Sequence, residues 1–239
     1  MNAKQHEGAI NLHRDTAHCW FKHLGSDFAW IGLRSGEHLG NGSGKNTDAQ
    51  RNLVSFRREA VTKWRQRVIG RYLGLAPEAV EFETTPEGKP LLRAEINSQR
   101  LSVSFSQTVD ACALILCRER LVGIDVENVS TEDLPLLAQT YLSQAELGAF
   151  QKATPAEQPL TFYRFWTQKE AYLKALGVGL DRPPREVEIV QTSVAGVVFS
   201  GDSRLWQLDH LKPWPHTLAC ALVEGASVEI QTFFGEPAQ

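Results

Sequence analysis

Between positions 48 and 73 apolar residues recur at helical spacing: Leu53, Val61, Trp64, Val68 and Tyr72 share one face. That pattern predicts an amphipathic helix from about Asp48 to Leu73. Beyond Gly88 the period changes from three-and-four to two. Arg100 to Ser106 and Ala111 to Cys117 read as strands flanking a turn, and Arg118-Glu119-Arg120 is the junction to a third. In that third segment Leu121, Gly123, Asp125 and Glu127 share one side and Val122, Ile124 and Val126 the other, so the second set faces a core. Helical spacing returns from Leu134 to Phe150. It returns again around Trp166, where Phe162, Phe165, Trp166, Leu173 and Leu176 form the stripe and Gly177 the stop. Strands follow near Glu186 to Val190, Leu205 to Leu208 and Leu218 to Val223. The second half thus repeats the coarse helix-then-strands order of the first, and the fold class is α+β.

The first 33 residues are less patterned, with one strand-like run at Phe28 to Leu33, and residues 34–48 are rich in Gly, Ser and Asn and read as a mobile surface loop. Gly40 to Lys45 is not a phosphate-binding P-loop, because Leu39 and Asn46 stand where that motif needs Gly and Ser or Thr. His13, His18 and His23 are spaced by five, which suits no usual zinc pattern.

Composition narrows the class only a little. With 239 residues, 42% hydrophobic and 22% charged, the chain can bury one large or two modest cores. A net charge of −3 gives no general attraction to nucleic acid, and the polar start leads into no long apolar run, so neither a signal peptide nor a membrane span is expected. Cys19, Cys112, Cys117 and Cys220 share no CxxC spacing. Sparse thiols in apolar runs suit a reducing compartment, and the cytoplasm is the expected location. Against this acidic balance, Arg51, Arg57, Arg58, Lys63, Arg65, Arg67 and Arg71 make the first long helix basic. That face is either ordinary solvated surface or an attractor of phosphate or of an acidic partner helix.

Two acidic clusters carry the candidate chemistry. Asp125 and Glu127, two residues apart on one side of a strand, repel one another unless a cation or water intervenes. Hard carboxylate oxygens suit Mg²⁺, which usually takes one or two protein carboxylates and completes its octahedron with water and substrate phosphate. Glu170, one turn before Lys174 on the Trp166 helix, can supply a third. Each cluster also has a plainer reading, as a half-exposed strand and as a stabilising pair on a helix surface.

The ordered motifs Gly88-Lys89-Pro90, the Ser-rich strand Leu101 to Ser106, Gly123-Ile124-Asp125-Val126-Glu127 and Trp166-Thr167-Gln168-Lys169-Glu170-Ala171-Tyr172-Leu173-Lys174 resemble those of the Sfp-type 4′-phosphopantetheinyl transferases. The likeness extends to Tyr72-Leu73-Gly74, Tyr141 to Glu146, Trp206 and the strand Leu218 to Val223, covering roughly residues 50 to 225. The resemblance implies two similar α/β subdomains related by a pseudo-twofold axis and acting as a monomer, divided here as 1–118 and 119–239. Coenzyme A would lie in the cleft between them, its nucleotide on the first half. It further implies Mg²⁺-dependent transfer of 4′-phosphopantetheine from coenzyme A to a serine of an apo acyl or peptidyl carrier protein, with release of 3′,5′-ADP.

By that resemblance Asp125, Glu127 and Glu170 hold the metal, and Glu170 also acts as general base with Lys174 as a catalytic partner. Gly88, Lys89, Pro90, Ser104, Lys169 and Lys174 match coenzyme A contacts. One departure stands out: Val103-Ser104-Phe105-Ser106 has Phe105 where the family has a phosphate-binding histidine. Losing one charge-assisted hydrogen bond costs about 1.5 to 3 kcal/mol of affinity without removing the chemistry. A scaffold that binds coenzyme A or a carrier without turnover is the alternative this substitution motivates, and an unrelated Mg²⁺ phosphohydrolase is what the carboxylates alone would permit.

Overall fold

A computed structural model describes residues 9–24, 48–179, 182–193 and 195–236, with side chains described in the first long helix from residue 54 onward. The strand expected at Phe28 to Leu33 and the Gly-rich stretch 34–47 lie outside the described residues. The elements run β1 (Thr16–His23), α1 (Asp48–Leu73), β2 (Phe82–Thr84), β3 (Pro90–Leu92), β4 (Leu101–Gln107), β5 (Ala111–Arg118) and β6 (Val122–Asn128). Then come α2 (Leu134–Tyr141), α3 (Gln144–Lys152), α4 (Gln158–Leu176), β7 (Ile189–Ser193), β8 (Gly196–Phe199), β9 (Trp206–Leu211), β10 (Thr217–Glu224) and β11 (Glu229–Phe234).

Two sheets form the frame, one in the order β11-β1-β5-β4 and the other β6-β10-β9-β8-β7, with β2 and β3 as a separate hairpin. α1 covers the outer face of the first sheet through Val61, Trp64, Val68 and Tyr72, packed with Trp20, Leu114 and Leu116. The two sheets meet through small or branched residues, among them Ala17, Cys19, Ala113 and Ile115 against Ile124, Val126, Ala219 and Ala221. Small side chains let the sheets approach closely while still removing apolar surface from water. α4 covers the second sheet, with Ala171, Tyr172, Leu173 and Ala175 on Trp206, Cys220 and Leu222. β5, buried along seven of its eight residues, is apolar on both faces because each face has its own cover.

Several expectations need correction. The helix expected from Leu134 to Phe150 is two helices, broken where Leu142 turns extended and Ser143 begins α3 with a reciprocal cap: its hydroxyl accepts from the Glu146 N–H and its own N–H donates to the Glu146 carboxylate. α4 buries more than the expected stripe. Thr167, Lys169, Ala171, Tyr172 and Ala175 are buried while Phe165, Trp166 and Leu176 are only half-buried, because the helix is enclosed by the sheet on one side and by α2 and α3 on another. A division at residue 118 is crossed by the chain itself, since β11 returns to pair in parallel with β1, Thr16 opposite Glu229. His18 and His23 lie on β1, and His18 Nδ1 shares a hydrogen bond with the Tyr72 hydroxyl at 2.7 Å. All four cysteines are buried and unpaired. Among the described residues no helix is long and apolar enough to cross a membrane.

Candidate active site

β4 and β6 are edge strands of their respective sheets and lie beside one another. Edge strands carry N–H groups without ladder partners. Here two serines of β4 meet that need: the Ser104 hydroxyl accepts from the Ile124 N–H at 3.3 Å and the Ser106 hydroxyl from the Val126 N–H at 3.2 Å. This side-chain seam fixes the register between the sheets. It brings β6 beside β4 with Val122, Ile124 and Val126 in the inter-sheet core, as the alternation predicts, and Gly123, Asp125 and Glu127 toward α4.

Gly123 makes that last approach possible. A Cβ there would stand 1.8 Å from the Ala171 carbonyl oxygen, so α4 lies directly on the strand backbone. With the helix so close, Lys174 reaches Asp125: its ammonium donates to Asp125 Oδ1 at 2.5 Å and to the Ser106 hydroxyl at 3.0 Å. Ser106 in turn donates to Asp125 Oδ1 at 2.9 Å. Asp125 is 2% exposed, and its Oδ2 is buried with no hydrogen-bond partner among the described residues. Glu127 Oε1 accepts from the Trp166 indole N–H at 3.1 Å. Burial, reinforced by Asp125 and Glu170, pushes the Glu127 carboxyl up to about 7, against the Trp166 hydrogen bond and Lys174. Burial and Asp125 also raise Glu170, opposed by Lys174.

In front of these groups lies a cavity of about 290 Å³ lined by Glu87, Gly88, Lys89, Pro90, Val103, Ser104, Phe105, Glu170, Leu173, Lys174, Gly177 and Gly179. The β2–β3 hairpin forms one wall. Its turn is closed by the Gly88 N–H on the Thr85 carbonyl and needs a positive φ of 92° at Gly88. Lys89 pins that wall to α4, donating to the Ala175 carbonyl at 2.5 Å, near the helix end where Gly177 turns left-handed. Burial lowers the Lys89 ammonium. Phe105 contributes its ring to the cavity, with Phe82 edge-on and the Arg65 guanidinium 4.5 Å from its centroid.

The expected residues therefore divide. Gly88, Lys89, Pro90, Ser104, Glu170 and Lys174 line one cavity, and Asp125 and Glu127 lie close to Lys174 and Glu170. Lys169 is elsewhere. It is 2% exposed, paired with Glu146 at 2.5 Å, and donates to the carbonyls of Pro184 and Val187. Burial lowers its ammonium and raises the Glu146 carboxyl, while their mutual contact opposes both shifts. Residues 169 and 170 point about 100° apart, and Lys169 lies on the side of α4 that faces Glu146 and the 184–187 carbonyls while Glu170 lies on the cavity side. Ser106 escaped the sequence reading because a serine two residues from Ser104 carries no signal that it touches Asp125.

Among the described residues no three His, Cys, Asp or Glu side chains are grouped closely enough to hold a metal ion. Lys174 and Ser106 occupy Asp125 Oδ1, and Trp166 occupies Glu127 Oε1. The chemistry nonetheless fits a hard divalent cation. The donors are all oxygen, Asp125 Oδ2 has no hydrogen-bond partner among the described residues, and Glu127 and Glu170 carry raised pKa values that an added cation would reverse.

Comparison with known proteins bears on the same region. A family model described as the 4′-phosphopantetheinyl transferase superfamily matches residues 121–223. The 4′-phosphopantetheinyl transferase HetI of Nostoc sp. is 32% identical over 161 residues, 66% of each chain. A 4′-phosphopantetheinyl transferase of Bacillus subtilis is 29% identical over 110 residues, 46% of this chain and 47% of that one. AcpT of Salmonella typhimurium is 33% identical over 111 residues, 46% of this chain and 55% of that one. The chain thus spans about two thirds of the length of HetI and about half that of the other two. From β6 through α4 to β10, the strand, helix and strand that carry and support the acidic cluster, the chain belongs to the 4′-phosphopantetheinyl transferase superfamily.

Proposed function

We propose that this protein transfers 4′-phosphopantetheine from coenzyme A to a serine of an apo acyl or peptidyl carrier protein. The observation that carries the reading is one cavity that brings Lys89, Lys174 and Glu170 together, with the Asp125 and Glu127 carboxylates beside them. In the transfer, an O–P bond forms between the carrier serine and the β-phosphorus of coenzyme A. The bond from that phosphorus to the departing phosphate breaks, leaving 3′,5′-ADP. Such chemistry rests on alignment and charge neutralisation more than on covalent work by the protein.

Glu170 lines the cavity, where its carboxylate can accept the serine proton, directly or through one water. Lys174, one helical turn on, supplies positive charge to the phosphate oxygens, and Lys89 does so from the hairpin wall. Asp125, Glu127 and Glu170 would hold Mg²⁺, which when bound neutralises charge on the pyrophosphate oxygens. Phe105 of β4 and Leu173 of α4 offer apolar contact in the same cavity. The two sheets are read as the pseudo-twofold halves, and the protein as a cytoplasmic monomer.

The test is to incubate the protein with coenzyme A, Mg²⁺ and an apo carrier protein and to weigh the carrier. A gain of one phosphopantetheine is expected. Coenzyme A that binds without any gain supports a binding module instead, and release of phosphate without a carrier supports a phosphohydrolase.

A further inference from the structure

Ser104 and Ser106 do the same backbone task, each accepting one β6 N–H across the seam. Only Ser106 does more. A hydroxyl has one proton to give and two lone pairs to offer. In Ser106 all three are engaged: the proton on Asp125 Oδ1 at 2.9 Å, the lone pairs by the Val126 N–H at 3.2 Å and the Lys174 ammonium at 3.0 Å. Its rotor is therefore fixed from three sides, and it is 8% exposed. Asp125 Oδ1 receives both Ser106 and Lys174, while the buried Oδ2 receives no hydrogen bond from the described residues.

We propose that Ser106 is a positioning residue that holds the Asp125 carboxylate with Oδ1 turned to Lys174 and Oδ2 left open to a divalent cation. The inference rests on the transferase reading above. The carboxylate torsion of an aspartate is broad and two-fold, so nothing intrinsic to Asp125 chooses between its oxygens. Without the Ser106 hydroxyl only Lys174 holds the carboxylate, and its ammonium can bridge both oxygens and occupy the cation's place. Outer groups that orient a metal-binding carboxylate change metal affinity about ten- to a hundredfold when removed.

The test uses Mn²⁺ alone, titrated into the full chain without coenzyme A and followed by the loss of the free-ion electron paramagnetic resonance signal. Ser106→Ala should weaken Mn²⁺ binding about ten- to a hundredfold, and Ser106→Thr, which keeps the hydroxyl, should restore most of it. Ser104→Ala removes a seam hydrogen bond but no contact to Asp125 or Lys174, and coenzyme A is absent from this titration. It should lower the unfolding midpoint as Ser106→Ala does and leave Mn²⁺ affinity unchanged. Equal Mn²⁺ affinities in the two alanine variants, or wild-type affinity in Ser106→Ala, would overturn the assignment even if the wild type labels a carrier. A wild type that neither binds Mn²⁺ saturably nor labels a carrier overturns the transferase reading and this inference together. If Ser106→Thr does not fold, the comparison of the two alanine variants decides.

Discussion

Gly123→Ala tests whether the approach of α4 to β6 builds the site. The added Cβ would stand 1.8 Å from the Ala171 oxygen, 2.7 Å from its carbon and 3.0 Å from the Ala175 nitrogen. All three are backbone atoms in the middle of a helix whose carbonyls are committed to hydrogen bonds, so no side chain can swing aside. Ordinary contact begins at 3.4 Å, and the helix must therefore back away by about 1.5 Å. Overpacking a core typically costs about 1 to 3 kcal/mol, and a backbone-to-backbone clash belongs at or above the upper end. The same displacement would pull Lys174 off Asp125 and shift Glu170, and misplacing reacting groups by about 1 Å can cost about a hundredfold in rate. Urea unfolding followed by tryptophan fluorescence and carrier labelling followed by mass should both register the loss. A Gly123→Ala protein within about 0.5 kcal/mol of wild type, with unchanged turnover, would refute the idea that this contact positions the site.

Other outcomes follow from the same geometry. Lys169→Met leaves Glu146 charged and buried, so stability should fall by about 3 to 5 kcal/mol in urea, while Glu146→Leu combined with Lys169→Met should recover much of it; a ligand-affinity defect at full stability would return Lys169 to the cavity. The Glu127 carboxyl is raised from 4.5 to about 7, so the folded metal-free protein binds that proton more tightly than the unfolded chain and loses stability as pH rises through this window. Glu127→Gln should flatten the decline between pH 5 and pH 8, and a steeper decline in the variant would reverse the sign of the argument. Phe105→His should tighten coenzyme A binding at neutral pH and less so at acid pH, where an imidazolium would face the Arg65 guanidinium now 4.5 Å from the ring centroid; calorimetric titration giving an unchanged or weaker dissociation constant would remove the phosphate argument. Glu170→Gln should nearly abolish carrier labelling, and near-normal turnover would rule out Glu170 as the base.

Local periodicity made much of the frame legible. The alternation through Val122 to Glu127 separated the inter-sheet core from the face toward α4 because a strand offers only two faces. Gly177 marked the end of α4 because a left-handed residue was needed there. What escaped depends on partners far along the chain. Nothing near Lys169 announces Glu146, Pro184 and Val187 as its neighbours, so a lysine inside a cavity-facing motif was assigned to the ligand. The break between α2 and α3 was in principle readable, since Ser143 and Glu146 have the spacing of a reciprocal cap. β11 was not foreseen, because Glu229 to Phe234 carries a weak alternation and its partner β1 lies more than two hundred residues upstream.

That last pairing sets the order in which the molecule can be completed. Ribosomes deliver the chain from its start, and domains ordinarily fold as they emerge. Here the first sheet waits for its outermost strand until residues 229–234 have been made, and Trp64 of α1 still awaits the Gly235 carbonyl to which it donates at 2.9 Å. Until then β1 presents an unpaired margin to whatever strand is nearby. A chain cut before residue 229 would carry its whole acidic cluster and still display that margin, so shortened forms should aggregate before they show any defect in chemistry.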